Sequence, residues 1–144
     1  MNTVDLSTLE LVPNFPGLRV SFPFHSGTGT AASAAVYFEV DAGAFLPTHT
    51  DSSEELLLVL EGEGEASLED ETIPLATGQM AAIPAMAPHG IRNVGDDVLR
   101  VIGFFAGSTV VHTFPDTPEG AMIFVTGAPV PIAAPLEEPA PAHA

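Results

Sequence analysis

Short apolar stretches, punctuated by Gly, Pro, Asp and Ser, recur along the whole chain. Over residues 34–40 the side chains alternate. Ala34, Val36, Phe38 and Val40 fall on one face, and Ala35, Tyr37 and Glu39 on the other. That period of two marks a strand. The same reasoning predicts strands over 55–60, 65–69, 72–75, 80–83, 89–94 and 98–105, with weaker signals at 109–114 and 122–125. The pair 89–94 and 98–105 flanks a turn, Gly95-Asp96-Asp97. Residues 18–24 read as a further strand interrupted by Pro23, which suits an edge or a strap. Helical signals are poor, and the best is a weak one over 4–11.

The 13 Gly and 14 Pro are spread along the 144 residues, cutting them into strand-sized pieces. This predicts an all-β sandwich or barrel in one domain. Residues 1–30 form an N-terminal strap with edge strands, and residues 31–127 the barrel. Residues 128–144 form a Pro/Ala-rich extended tail.

Charge narrows the partners. Lys and Arg total 3 against 19 Asp and Glu, for a net charge of −16. Nucleic acid needs a basic footprint, so it is not an expected partner. An anionic membrane surface is equally unsuitable, and no apolar run approaches the roughly 18 residues of a spanning helix. The absence of Cys excludes disulfides and thiolate sites. No basic, apolar leader is visible at the start, so a cytoplasmic location is expected.

Two stretches carry candidate chemistry. The first runs Gly43, five residues, His49-Thr50-Asp51, three residues, Glu55, six residues, Gly62. The second runs Gly78, five residues, Pro84, one residue, Met86, two residues, His89, three residues, Asn93. These stretches resemble the paired motifs of the cupin superfamily, G-x5-H-x-H-x3-4-E-x6-G and G-x5-P-x-G-x2-H-x3-N. Two fixed positions depart: Asp51 stands in place of the second His, and Met86 in place of the middle Gly. With the hairpin between them the motifs cover 43–93, about a third of the chain.

The resemblance implies a double-stranded β-helix, the jelly-roll barrel, of six to eight strands with one divalent metal ion at its mouth. By position the ligands are His49, Asp51, Glu55 and His89. The residue chemistry agrees. Residues two apart on a strand share a face, so His49 and Asp51 can converge. Glu55 follows across a turn at Ser52 and Ser53, and His89 follows Pro84 and Pro88. A carboxylate in the second His place shifts preference toward Fe or Mn, with Zn or Ni as the other choice. His49, Asp51 and His89 also form a 2-His-1-carboxylate set, with Glu55 as a fourth or standby ligand. The competing reading is plain turn chemistry, with a core histidine at 89. Gly43, Gly62, Gly78 and Pro84 are assigned to turn geometry.

The pocket set is Phe38, Leu57, Met80, Ile91, Arg100, Ile102 and Phe104. Such a lining suits an apolar or aromatic molecule with one or two polar groups. Arg100 could hold a carboxylate or phenolate, or serve as a surface partner for one of the many acids. Leu56, Leu58 and Leu60 need a cover, either a second sheet or another subunit, and a homodimer is expected.

The function expected is that of a metal-dependent enzyme acting on a small oxygen-bearing molecule, with Glu55 or Asp51 as general base. Dioxygenase-like chemistry leads. Isomerase, lyase or polyketide cyclase chemistry is the first alternative, and a non-catalytic ligand-binding or sensing module the second.

Overall fold

The structure is a computed structural model, and it describes residues 1–127. The Pro/Ala-rich stretch 128–144 lies outside the described residues. Twelve strands follow a short 3₁₀ turn at Leu6–Thr8. They are β1 Val12–Phe15, β2 Leu18–Phe24, β3 Ala34–Val40, β4 Phe45–Asp51, β5 Glu55–Glu61 and β6 Glu63–Leu68. Then come β7 Glu71–Ala76, β8 Met80–Ile83, β9 His89–Asn93, β10 Leu99–Phe105, β11 Val110–Phe114 and β12 Met122–Thr126.

The strands form two six-stranded sheets, ordered β1-β2-β3-β10-β5-β8 and β12-β11-β4-β9-β6-β7. Every recorded pairing is antiparallel. Sequential strands repeatedly switch sheet, as in a jelly roll. The two inner faces meet in one core. Val36, Phe38 and Val40 of β3, Leu57 and Val59 of β5, and Leu99, Val101 and Phe105 of β10 are all buried in it.

The alternation read at 34–40 holds, but the other face is not open to water. Tyr37 is fully buried there. Its hydroxyl donates to Glu39 at 2.6 Å and accepts from Arg100 Nε at 2.7 Å, and the guanidinium lies 5.6 Å from the ring centroid. Such charge-assisted contacts let a tyrosine sit on an outer face without exposing its ring.

Three details depart from the sequence pattern. The weak helical stretch 4–11 yields only the 3₁₀ turn, whose N-cap Asp5 accepts from Ser7 N at 2.9 Å. The strap residues join the first sheet as β1 and β2, and Pro23 falls where the β2–β3 register shifts. The strand count exceeds six to eight because β1–β2 and β11–β12 extend the two sheets at the same edge.

The motif residues also build the frame. Gly43, Gly62 and Gly78 have φ of 81°, 112° and 83°. At Gly62 a Cβ would sit 3.0 Å from Leu99 Cα, so positive φ and close packing both require glycine. Met86 stands where the motif has glycine and still adopts φ 66°. A side chain there costs about 1–2 kcal/mol. The turn is held because Met86 N donates to the Asp51 carbonyl at 2.8 Å. Asn93 clamps one end of the core. Its amide donates to Val40 O at 2.9 Å and Asp97 O at 2.8 Å, while its Oδ1 accepts from Gly95 N at 2.8 Å. Val40 belongs to the opposite sheet, so this one side chain ties the two layers together.

Candidate metal centre

A register shift in β4 aims its polar end into the barrel. β4 and β9 pair as Leu46 with Ile91 and then His49 with His89. Two residues, Pro47 and Thr48, therefore oppose the single residue Gly90. This is a β-bulge, which re-aims the side chains that follow it. Without it, the period of two from Leu46 would bring Thr48 inward and turn His49 out. Downstream, Asp51 faces His112 across the β4–β11 pair. Glu55 opens β5 opposite Phe105 of β10. The structure thus brings His49, Asp51, Glu55 and His89 together, all of them buried.

Both motif histidines are oriented by backbone. His49 Nδ1–H donates to Pro47 O at 2.8 Å, and His89 Nδ1–H donates to Ala87 O at 2.9 Å. Each ring therefore turns Nε2 toward the acids. Asp51 Oδ2 lies 3.6 Å from His49 Nε2 and 3.1 Å from His89 Nε2, and Glu55 Oε1 lies 3.4 Å from His89 Nε2. Phe114 stacks on His49 with centroids 4.5 Å apart and an 18° tilt, fixing its plane.

The electrostatics split the two acids. Burial alone would raise the Asp51 carboxyl, but the hydrogen bond from His112 and the close imidazoles of His49 and His89 outweigh it and hold the group well below the usual carboxylate range. Glu55 goes the other way. Burial pushes its carboxyl up, the Asp51 charge adds to the rise, and His89 opposes it. Burial would lower His89, yet the adjacent Asp51 and Glu55 carboxylates carry it up to about 10.

The donor set fits a divalent ion. Among the described residues, Asp51 Oδ2 and His89 Nε2 are buried side-chain atoms with no hydrogen-bond partner, and both face this cluster. One donor atom each from His49, Asp51 and His89 lies within 4.8 Å of the others. Donors about 2.1 Å from one ion lie about 3.0–3.4 Å apart, so small movements would close the set. Glu55 has room beside it because β10 carries Gly103 there; a Cβ at that position would collide with the carboxylate.

A cavity of about 600 Å³ opens onto this cluster. Its apolar wall includes Leu18, Phe22, Phe38, Leu57, Ile91 and Phe105, and its rim includes the exposed Glu10 and Val12. Of the expected pocket set, Phe38, Leu57 and Ile91 line it. Arg100, Ile102 and Phe104 do not, because the odd-numbered residues of β10 face inward and these three face out. Arg100 serves as the surface partner, with Glu61 at 3.2 Å. Met80 also points away from the cavity and is 55% exposed.

Several site residues carry no motif. His112 donates from Nδ1 to Asp51 Oδ1 at 2.7 Å, and Thr126 lies 2.8 Å from its Nε2. Phe114 and Gly103 likewise belong to no recognisable spacing. The only signal for His112 was its alternation with Val110 and Phe114 on one strand face.

Comparison with known proteins agrees with this geometry. The cupin domain family model matches residues 36–105, which hold both motifs and the four acid and histidine positions. The chain belongs to the cupin superfamily. A polyketide synthase, CurC of Streptomyces cyaneus, is 44% identical to this cupin over 50 residues, 35% of this chain and 32% of CurC. The matched stretch is thus about a third of that relative's length. Among solved structures, the polyketide cyclase RemF of Streptomyces resistomycificus superposes with a TM-score of 0.64 at 22% identity, covering 73% of this chain and 78% of RemF. Salicylate 1,2-dioxygenase of Pseudoaminobacter salicylatoxidans gives 0.57 at 20% identity, covering 64% of this chain and 27% of the dioxygenase. At these identities the structural likeness is one of fold.

Proposed function

We propose that this cupin is a metal-dependent enzyme that moves protons on a small, largely apolar, oxygen-bearing molecule, as in polyketide cyclisation or isomerisation. The observation that carries this reading is the division between its two buried acids. Asp51 is held ionised by three imidazoles, while burial favours a proton on Glu55. Carboxylates pushed apart in this way divide their roles: the ionised Asp51 suits a metal ion, and Glu55, with the higher proton affinity, suits proton transfer. The partial match to a polyketide synthase adds weight to the substrate class.

His49, Asp51 and His89 would hold the ion, and a divalent ion there would supply Lewis-acid polarisation of a carbonyl or phenol oxygen. In its ionised form Glu55, the stronger base of the two acids, takes a proton from carbon beside that oxygen and returns it to the product. Gly103 leaves its carboxylate free to do so. The apolar wall of Phe38, Leu57 and Ile91 excludes water and packs against the substrate skeleton.

The test uses protein loaded with Zn²⁺ or Mn²⁺ to about one ion per chain, checked by elemental analysis. An aryl 1,3-diketone in deuterium oxide should exchange its α-hydrogen faster with enzyme than without. Glu55→Gln should slow that exchange by about 10²–10⁴-fold. Exchange that ignores both the ion and Glu55 overturns the proposal.

The second reading is a dioxygenase with Fe(II), favoured by the 2-His-1-carboxylate set of His49, Asp51 and His89. Oxygen uptake matching the loss of a hydroxybenzoate substrate would put it first. We also propose a homodimer. On the outer face of the first sheet, Phe104 pairs with Leu56, and Ile102 with Leu58, which pairs in turn with Met80. Leu56 and Phe104 are 44% and 43% exposed there.

A further inference from the structure

The inner end of β11 carries an interaction that neither motif supplies. His112 and Thr126 are both buried and both border the cavity. His112 sits opposite Asp51 across the β4–β11 pair, with Nδ1 2.7 Å from Asp51 Oδ1. An ionised carboxylate only accepts, so Nδ1 carries the proton. In the neutral ring the lone pair then falls on Nε2, which accepts from the Thr126 hydroxyl at 2.8 Å. The ring is wedged between Phe22 and Phe105, with centroids 5.3 and 5.5 Å away. It cannot turn without losing both bonds.

The result is a division of the Asp51 carboxylate. Oδ1 is engaged by His112, and Oδ2 is left without a hydrogen-bond partner, facing His49 and His89. We propose that Thr126 and His112 form a positioning relay that fixes Asp51, so that Oδ2 alone is presented to a metal ion. The relay therefore sets affinity and selectivity from outside the ligand set. This rests on the metal reading given above. It explains how an acid can replace the motif histidine without losing direction: a carboxylate is free to rotate and to offer either oxygen, and His112 removes that freedom. Hydrogen bonds to a ligating carboxylate are commonly worth about 10–100-fold in metal affinity.

Two measurements on the full-length protein separate the parts. In the metal-free protein, long-range ¹⁵N–¹H imidazole spectra should show His112 as the Nδ1–H tautomer. An Nε2–H tautomer overturns the proposal. Cobalt(II) is then titrated against a competing chelator, with its visible spectrum recorded. His112→Leu should bind Co²⁺ about 10–100-fold more weakly and with an altered spectrum. His112→Asn, whose amide can still donate to Oδ1, should restore most of the affinity and the wild-type bands. Thr126→Val should weaken binding in the wild type and add nothing to His112→Leu.

Thermal unfolding of each metal-free variant identifies any loss due to misfolding, and the asparagine variant carries the test if the leucine variant does not fold. Wild-type affinity and spectrum in His112→Leu, or a failure of asparagine to rescue in a folded protein, overturns the relay. A wild-type protein with the stated tautomer that takes up no cobalt overturns the metal reading, and with it the claim that the relay sets metal affinity.

Discussion

Burial by itself would strip a proton from the His89 ring, but the adjacent carboxylates of Asp51 and Glu55 raise its pKa to about 10. In the metal-free protein the raised value stabilises the fold. That contribution is full below about 6.5, the ordinary histidine value, and is lost as pH rises through about 10. A metal ion requires the neutral ring, so uptake expels this proton. Apparent affinity should therefore rise with pH by about tenfold per unit between pH 7 and 9. Chelator competition at several pH values measures the slope, and a flat response would show that His89 gives up no proton. Asp51 works in the opposite sense. Its lowered pKa contributes stability above the ordinary carboxylate value, and this is lost only under strong acid.

At the scale of elements, the β4 bulge turns a strand into the edge that carries two of the proposed metal ligands, His49 and Asp51. Gly90 is its counterpart: a Cβ there would lie 2.8 Å from the Leu46 carbonyl oxygen. Gly90→Ala should force β4 away from β9, cost about 1–3 kcal/mol and lower metal content, because His49 and His89 sit on the two displaced strands. Calorimetry and elemental analysis check this together, and an unchanged melting temperature with full metal would refute it.

The elements also show how far the sequence reaches. Turn residues and period-two runs revealed ten of the twelve strands. β1 was hidden by its proline and its short length, and the start of β4 by the turn residues around Gly43. The clustering of His49, Asp51, Glu55 and His89 was legible because two stretches resembling the paired cupin motifs carry them, although His89 stands 34 residues after Glu55. The inward face of β10 was not, since Leu99, Val101 and Phe105 are no more apolar than Val98, Ile102 and Phe104. Gly103 breaks that tie only once Glu55 is seen beside it. His112 escaped notice because cross-strand pairing, not spacing, brings it to Asp51.

For the whole molecule, the same β10 parity that empties Arg100 from the cavity creates the apolar outer face. If that face joins two copies, sedimentation equilibrium should give a dimer. Leu56→Glu with Phe104→Glu should give a monomer that keeps its metal, because neither residue lines the cavity. A wild-type monomer would refute the dimer, leaving the patch to some other role. The charge of −16 is spread mainly over solvent-facing acids and opposes non-specific association.

The Asn93 clamp has a consequence for traffic. Around it Val40, Val59, Leu99 and Val101 are fully buried, and none of them borders the cavity. The barrel therefore has a floor at that end and a doorway at the other, beside Glu10 and Val12. Among the described residues Glu10 and Val12 are the exposed part of the lining, so what enters on that side leaves by it. Product and substrate compete for one passage, so product should inhibit competitively. A compound lengthened at the end that trails toward the doorway should be tolerated, while one lengthened at its leading end should be refused.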